Sequence, residues 1–177
     1  MATGAWVALL RAVNLGARNK VSMARLREVL AAEGCERVRT YIASGNAVFR
    51  SDAARDELAR RLERAIEQEF GVATPVILRT AEELASVVER HPYDDASRTH
   101  VAFLAAKPAA VRVRALAELD VAPDRIVVDG LEAYWHLPGG VQGSRLSGAR
   151  LEKELGVAAT VRNWRTVTRL AEMASEP

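Results

Sequence analysis

The order strand, helix, strand, strand, helix, strand, helix can be traced through this 177-residue chain twice. That repetition restricts the fold more than any single motif does. Ala5 to Val13 is almost continuously apolar, as a strand buried on both faces requires. Ser22 caps a helix whose inward stripe is Leu26, Val29 and Leu30, and Val21 and Leu26 have the spacing of a hydrophobic staple. Gly34 stops that helix. Arg37 to Ala43 alternates, with Val38, Thr40 and Ile42 on one face, and reads as a half-exposed strand. Ser44-Gly45-Asn46 turns the chain into a third strand ending near Arg50. Leu58, Leu62, Ile66 and Phe70 recur every four residues along a helix from Asp52 to Phe70. Thr74 to Leu78 is a fourth strand. Thr80 with Glu83 then makes a capping box for a helix over Leu84, Val87 and Val88, which His91-Pro92 ends.

The second half repeats the order. Val101 to Ala106 is an apolar strand, and Pro108 suits the first turn of a helix running to Glu118. Arg125 to Val128 and Ala133 to Leu137 flank an Asp129-Gly130 turn, a strong hairpin signal. A glycine-rich loop spans Pro138 to Gly143. A helix carrying Leu146, Leu151 and Leu155 ends at Gly156, and Ala158 to Val161 is a short strand. Asn163 caps the last helix, which buries Val167 and Leu170.

The unit βαββαβ is the ferredoxin-like pattern. The expected fold is therefore α+β: two tandem ferredoxin-like halves, residues 1–92 and 93–177, each βαββαβ plus a helix, in a duplicated antiparallel-sheet architecture. Right-handed crossovers give the spatial strand order 4-1-3-2 in each half. Leu9, Leu10, Leu26, Leu30, Ile42, Phe49, Leu62 and Ile66 are the expected first core. An apolar central strand calls for cover on both faces. That implies packing of the two halves, or of two chains, and leaves a homodimer open.

Charge excludes little. Lys and Arg number 25 against 23 Asp and Glu, so the formal net charge is only +2, with no basic tail. The charges fall mostly along helix faces. Aromatic residues make up 5% of the chain and do not line the strands as nucleic-acid stacking platforms would. The start of the chain lacks the basic region of a signal peptide, and no apolar run approaches the roughly 20 residues that span a bilayer. A cytoplasmic protein with no membrane association is expected. Cys35 is the one cysteine, so no intramolecular disulfide forms, and a packed thiol is the reading. His91, His100 and His136 have no metal-ligand spacing with one another or with Cys35. No metal or cofactor is expected. His136 alternates with Trp135 and is expected to be exposed. Glu82 and Glu83 are adjacent on a helix and share no face, so they are not a catalytic pair.

Three segments stand out together: residues 7–20, Val-Ala-Leu-Leu-Arg-Ala-Val-Asn-Leu-Gly-Ala-Arg-Asn-Lys; residues 39–46, Arg-Thr-Tyr-Ile-Ala-Ser-Gly-Asn; and residues 161–167, Val-Arg-Asn-Trp-Arg-Thr-Val. In this order they resemble the bacterial domain-of-unknown-function family numbered 1697. That family reads Leu-Arg-Gly-Ile-Asn-Val-Gly-Gly, Tyr-Ile-Gln-Ser-Gly-Asn and Thr-Arg-Asn-Trp-Asn-Thr-Val. Ala12 stands here where the family has glycine, Ala17 replaces the second glycine of the loop, and Ala43 replaces glutamine. The resemblance implies a cytosolic, duplicated α+β fold and no assigned activity.

The expected topology gathers some of these residues. The end of the first strand lies beside the start of the antiparallel third, so Arg11 and Asn14 approach Ser44, Gly45 and Asn46. The loop through Gly16, Arg18, Asn19 and Lys20 feeds a helix N-terminus, whose free amides and dipole favour an anion. Two readings stand side by side: an anion site, or ordinary turn chemistry with Asn and Gly at positive φ. Arg162, Asn163, Trp164 and Arg165 also carry two readings. Two arginines beside an indole suit a phosphate and a base, while an N-cap and a packing anchor need nothing further. Ser144, Arg145 and Ser147, after the glycine loop, are a further anion candidate or a simple cap. No nucleophile and base pair is present. The leading expectation is a protein binding a phosphate-bearing small molecule, such as a nucleotide, or a nucleic-acid segment at the strand-end face. The rivals are an enzyme acting on a small phosphorylated or carboxylated metabolite between the halves, and an interaction module without a ligand.

Overall fold

Residues 3–176 are described by the computed structural model. The first four strands are β1 (Gly4–Leu10), β2 (Glu36–Thr40), β3 (Asn46–Ser51) and β4 (Val76–Thr80). They form an antiparallel sheet in the order β2-β3-β1-β4. Helices α1 (Met23–Ala32) and α2 (Arg55–Phe70) connect them, and α3 (Ala81–Glu89) follows. The second sheet has the strands β5 (Thr99–Leu104), β6 (Arg125–Asp129), β7 (Glu132–His136) and β8 (Ala159–Asn163). Its order is β6-β7-β5-β8, also antiparallel. Helices α4 (Ala110–Ala117), α5 (Gly148–Leu155) and α6 (Trp164–Ser175) accompany it. In both sheets the first strand is central and the second is an edge.

The chain divides into two compact units: one runs up to Ala85 and resumes at Arg169, the other is Ser86–Thr168. The division falls inside α3 and inside α6. No helix among the described residues is long and apolar enough to cross a membrane.

Local chemistry explains the helix ends. The Ser22 hydroxyl accepts from Arg25 N at 3.3 Å, and Ser147 does the same for Arg150 N at 3.1 Å. Thr80 and Glu83 form a reciprocal capping box, with Thr80 N donating to Glu83 Oε2 at 2.8 Å and Glu83 N to Thr80 Oγ1 at 3.1 Å. Asn163 Oδ1 accepts from Thr166 N at 2.9 Å and starts α6. Gly71 and Gly156 close α2 and α5 in the left-handed region. Helix α4 opens at Ala110, two residues later than Pro108 suggests.

Each unit has its own core on one sheet face. Trp6, Ala8, Leu10 and Phe49 meet Leu26, Leu30, Leu58, Leu62 and Ile66 in the first. Trp135, Leu137, Leu146, Leu151 and Leu155 form the second. The opposite face of β1 is buried as well, since Val7 and Leu9 have no exposed surface. Polar residues share that opposite face by register: Leu9 pairs with Asn46, and Val7 pairs with Arg79. In the second sheet Phe103 pairs with Glu132, and Val101 with Arg162. All four of these polar residues are buried. The two sheets thus place a buried arginine at the same register position of their fourth strand.

Three expectations fail. Leu9, expected in the first core beside Leu10, is buried on the opposite face of β1, because successive residues of a strand point to opposite faces. Ile42 is 51% exposed and lies outside the first core. Strand β2 ends at Thr40, and Ile42 takes φ +48° in the following loop, so the alternation it appears to continue is broken. His136 is buried, with 7% of its surface exposed. Every position of β7 is buried, so the face opposite Trp135 is no more open than the face that carries it.

Candidate functional site

The strand-end cluster expected from the sequence assembles in the first unit, and asparagine amides hold it together. Asn14 sits at φ +54°, a conformation asparagine tolerates better than most residues. Its Nδ2 donates to Val21 O at 2.8 Å and to Ala43 O at 2.7 Å, and its Oδ1 accepts from Val21 N at 2.9 Å. One side chain therefore closes the loop between β1 and α1 and ties it to the loop before β3. Asn19 Nδ2 adds a bond to Ala12 O at 2.9 Å, and Asn14 N donates to Asn19 O at 2.9 Å.

Asn46 is fully buried, and its Nδ2 donates to Tyr41 O and to Ser44 Oγ, both at 2.9 Å. Gly45 has φ +84°, and a Cβ there would lie 2.6 Å from Val13 Cγ2 and 2.8 Å from Leu10 Cβ. Its carbonyl accepts from Leu10 N at 2.8 Å. Only glycine fits that position on both counts. The amide donors of Asn14 and Asn46 are thus occupied by the protein's own backbone and by Ser44.

The basic groups stand around this framework. Lys20 is exposed and its Nζ donates to Gly16 O at 2.5 Å, leaving two of its three protons. Arg18 is exposed. Arg11 is half-buried, and its carbonyl accepts from Thr74 Oγ1 at 2.6 Å. The segment from Arg11 to Lys20 contains three basic residues and no carboxylate. Helix α1, which follows, has no acidic residue in its first turn.

The residues Arg162 to Arg165 belong to the second unit and take separate roles there. Arg162 is buried, its Nη1 donating to Thr160 Oγ1 at 2.7 Å and to Val161 O at 2.9 Å. Burial pushes its pKa down from the ordinary arginine value, to about 10. Asn163 caps α6 as described. The Trp164 ring lies 4.3 Å from the His91 ring, tilted by 49°. Arg165 is exposed. The two guanidinium groups therefore occupy opposite environments.

The structure brings to Trp164 a group of residues that sequence spacing did not reveal. His91 Nε2 lies 2.8 Å from Thr99 Oγ1, and the His91 ring is edge-on to Tyr93 and Tyr134. The Tyr93 hydroxyl donates to Tyr134 O at 2.9 Å, and its ring lies 5.3 Å from His136. His136 Nδ1 is buried without a hydrogen-bond partner among the described residues. Burial holds His91 below the ordinary histidine pKa, and the nearby His136 adds to the effect. The signal in the sequence was His91-Pro92-Tyr93, two rings flanking a helix-stopping proline.

After the glycine loop, Ser144 Oγ donates to Asp124 Oδ2 at 2.5 Å, and Arg145 pairs with Asp120 at 3.1 Å. Protein carboxylates already occupy those donors. Among the described residues no group of three or more histidine, cysteine or acidic side chains is placed to hold a metal ion. Cys35 is buried, and desolvation raises its thiol pKa to about 11.

A solved structure similar to this chain is that of the conserved bacterial protein SP0830 from Streptococcus pneumoniae. The two share 24% identity over 98% of this chain and 100% of that one, with a TM-score of 0.76, a likeness of fold. No curated protein matches the chain. The match to a family model covers residues 3–134 and includes the first two of the three motifs, while the Trp164 segment lies beyond it. On that match the chain belongs to the family described as Protein of unknown function (DUF1697).

Proposed function

We propose that this chain is a cytoplasmic binding protein, built from two duplicated ferredoxin-like halves, that holds a phosphate-bearing ligand at the strand end of its first unit. A nucleotide or a short nucleic-acid segment is the ligand class. The observation that carries this reading is the carboxylate-free loop from Arg11 to Lys20, pinned at Asn14 and running into the N-terminus of α1. A rigid base of this kind presents Arg11, Arg18 and Lys20 without the ordering cost of a free loop. The helix N-terminus adds amide donors and a favourable dipole. On this reading Asn14, Gly45 and Asn46 build the platform, and the basic side chains touch the ligand. A binding role is favoured over catalysis because the cluster contains no paired nucleophile and base.

The test uses Arg11→Ala and Lys20→Ala, with folding verified by thermal melts. Nucleoside mono- and triphosphates and a short single-stranded RNA are titrated at low and moderate salt. Each change is expected to weaken binding about tenfold or more, equivalent to roughly 1.4 kcal/mol. If none of these probes binds, or if binding is indifferent to both changes, the cluster is a structural turn.

A further inference from the structure

We propose a second binding site in the first unit, a cavity of about 290 Å³ that takes a small organic anion with an apolar body. This goes beyond the strand-end reading and uses none of its residues.

The cavity lies on the sheet face opposite the main core, where Ala5 pairs with Arg50 and Arg39 pairs with Val48. The end of α6 contributes Met173 and Ala174, both buried. Ala5, Val48, Met173 and Ala174 provide apolar wall, and Arg37, Arg39, Arg50 and Glu176 provide charge. The volume is at the small end of the range of about 300–1,000 Å³ usual for ligand pockets, which suits a compact molecule and not a dinucleotide.

The charges are not equivalent. Arg39 Nη1 is bonded to Glu176, and its Nη2 donates to Met173 O at 2.5 Å. Arg169 also approaches Glu176, at 4.0 Å. The one carboxylate lining the cavity is therefore already paired. The side chains of Arg37 and Arg50 have no hydrogen-bond or ion-pair partner among the described residues. Two unpaired arginine side chains, that of the exposed Arg37 and that of the half-buried Arg50, thus remain among the lining residues. Guanidinium is the side chain best matched to a planar carboxylate or a phosphate, which it binds through two parallel hydrogen bonds.

Arg37 reaches this position through an irregular backbone. It has φ +52°, and the pairing of β2 with β3 shifts register between Glu36 and Arg39. A bulge of this kind redirects a side chain that regular alternation would place elsewhere. A non-glycine residue in the left-handed region is strained, and such residues cluster at ligand sites.

The probes are benzoate and phenyl phosphate, each an anionic head on a compact ring. Inorganic phosphate supplies the head alone and benzyl alcohol the body alone. Binding is followed by chemical-shift titration of the ¹⁵N-labelled full chain. Saturable shifts are expected for at least one of the two probes, confined to the start of β1, β2, β3 and the end of α6, with Kd at or below about 1 mM. Arg50→Gln should weaken binding about tenfold. Ala5→Leu, which fills the cavity and leaves every charge in place, should abolish it, while exposed Arg60→Gln on α2 should leave it unchanged. Three results would each overturn the proposal: no saturable shifts with either probe, equal affinity in Arg50→Gln or in Ala5→Leu, or benzyl alcohol or inorganic phosphate binding as tightly as the bifunctional probes.

Discussion

Asn14 donates its side-chain amide to the carbonyl oxygen of Ala43 across 2.7 Å, although 29 residues separate them. The bond uses the backbone of Ala43. The alanine that stands here for the family's glutamine therefore leaves it intact. The same Nδ2 reaches Val21 O, so both amide protons are committed to backbone carbonyls.

Replacing Asn14 tests this clasp. Asn14→Ala leaves two carbonyls and the Val21 amide without their partner, and a destabilisation of about 1–3 kcal/mol is expected. Asn14→Asp should be worse at neutral pH, because a carboxylate oxygen then faces two carbonyl oxygens. Chemical denaturation midpoints would decide. Equal stability of all three proteins would mean that the loop closes without this residue.

Ala12 sits at φ +53°, at the position where the family resemblance has glycine. An L-residue in the left-handed region carries a penalty of roughly 1–2 kcal/mol, while glycine costs about 0.5–1 kcal/mol in unfolded-chain entropy. Ala12→Gly is therefore expected to stabilise the protein by up to about 1 kcal/mol. A lower melting temperature in the glycine variant would show that the Ala12 methyl contributes packing that outweighs its backbone strain.

Cys35 should be inert in the native state. It is 4% exposed, and burial raises its pKa to about 11, so almost no thiolate exists at pH 8. Native protein treated with a chromogenic disulfide reagent is expected to react far more slowly than protein in denaturant. Rapid native labelling would place the thiol outside the core.

Histidine burial makes acid destabilising. His91 and His100 both titrate below the ordinary histidine value, chiefly because burial disfavours the charged ring. In the unfolded chain each takes up a proton near pH 6.5. In the folded chain each does so only at lower pH. Stability is therefore unaffected above about pH 7 and falls as pH drops below 6.5 towards the folded values. The carboxylates Glu83 and Asp95, held low by Arg55 and by Ser97 respectively, lose their contribution only at more acidic pH. Melting temperatures at pH 7.5 and 5.5 should differ less for a His91→Gln, His100→Gln double variant than for the parent. An equal drop in both would assign the acid sensitivity to other groups.

Much of the strand and helix order was legible because local signals agreed. The apolar run of β1, the Thr80–Glu83 box, the Asn163 cap and the Asp129-Gly130 turn each report their own element without long-range information. Burial of polar residues was not legible. Asn46, Arg79, Glu132 and Arg162 occupy strand positions that alternation marks as outward, yet all are buried. His136 was misread by the same logic, since alternation separates two faces and cannot say whether one is open. Ile42 was misread because its side chain continues a period that its backbone has already left. The strand-end residues were brought together by topology, but their sequence could not show that Asn14 and Asn46 spend their amides on backbone carbonyls. The cavity beside Arg50 was invisible, because it needs both a bulge in β2 and a helix end more than 120 residues away.

The irregularity at Arg37 also governs what happens at the rim of the sheet. Strand β2 is an edge, so one side of its backbone faces no neighbouring strand. A straight edge would offer a row of unpaired amides and carbonyls to any extended chain. Here the register breaks between Glu36 and Arg39, and two arginines lie within five residues. An incoming strand would meet a discontinuous ladder and the charged side chain of Arg37. Straightening this segment, for instance by deleting one residue between Glu36 and Arg39, would convert a guarded border into an adhesive one. The deletion's first visible effect would be self-association.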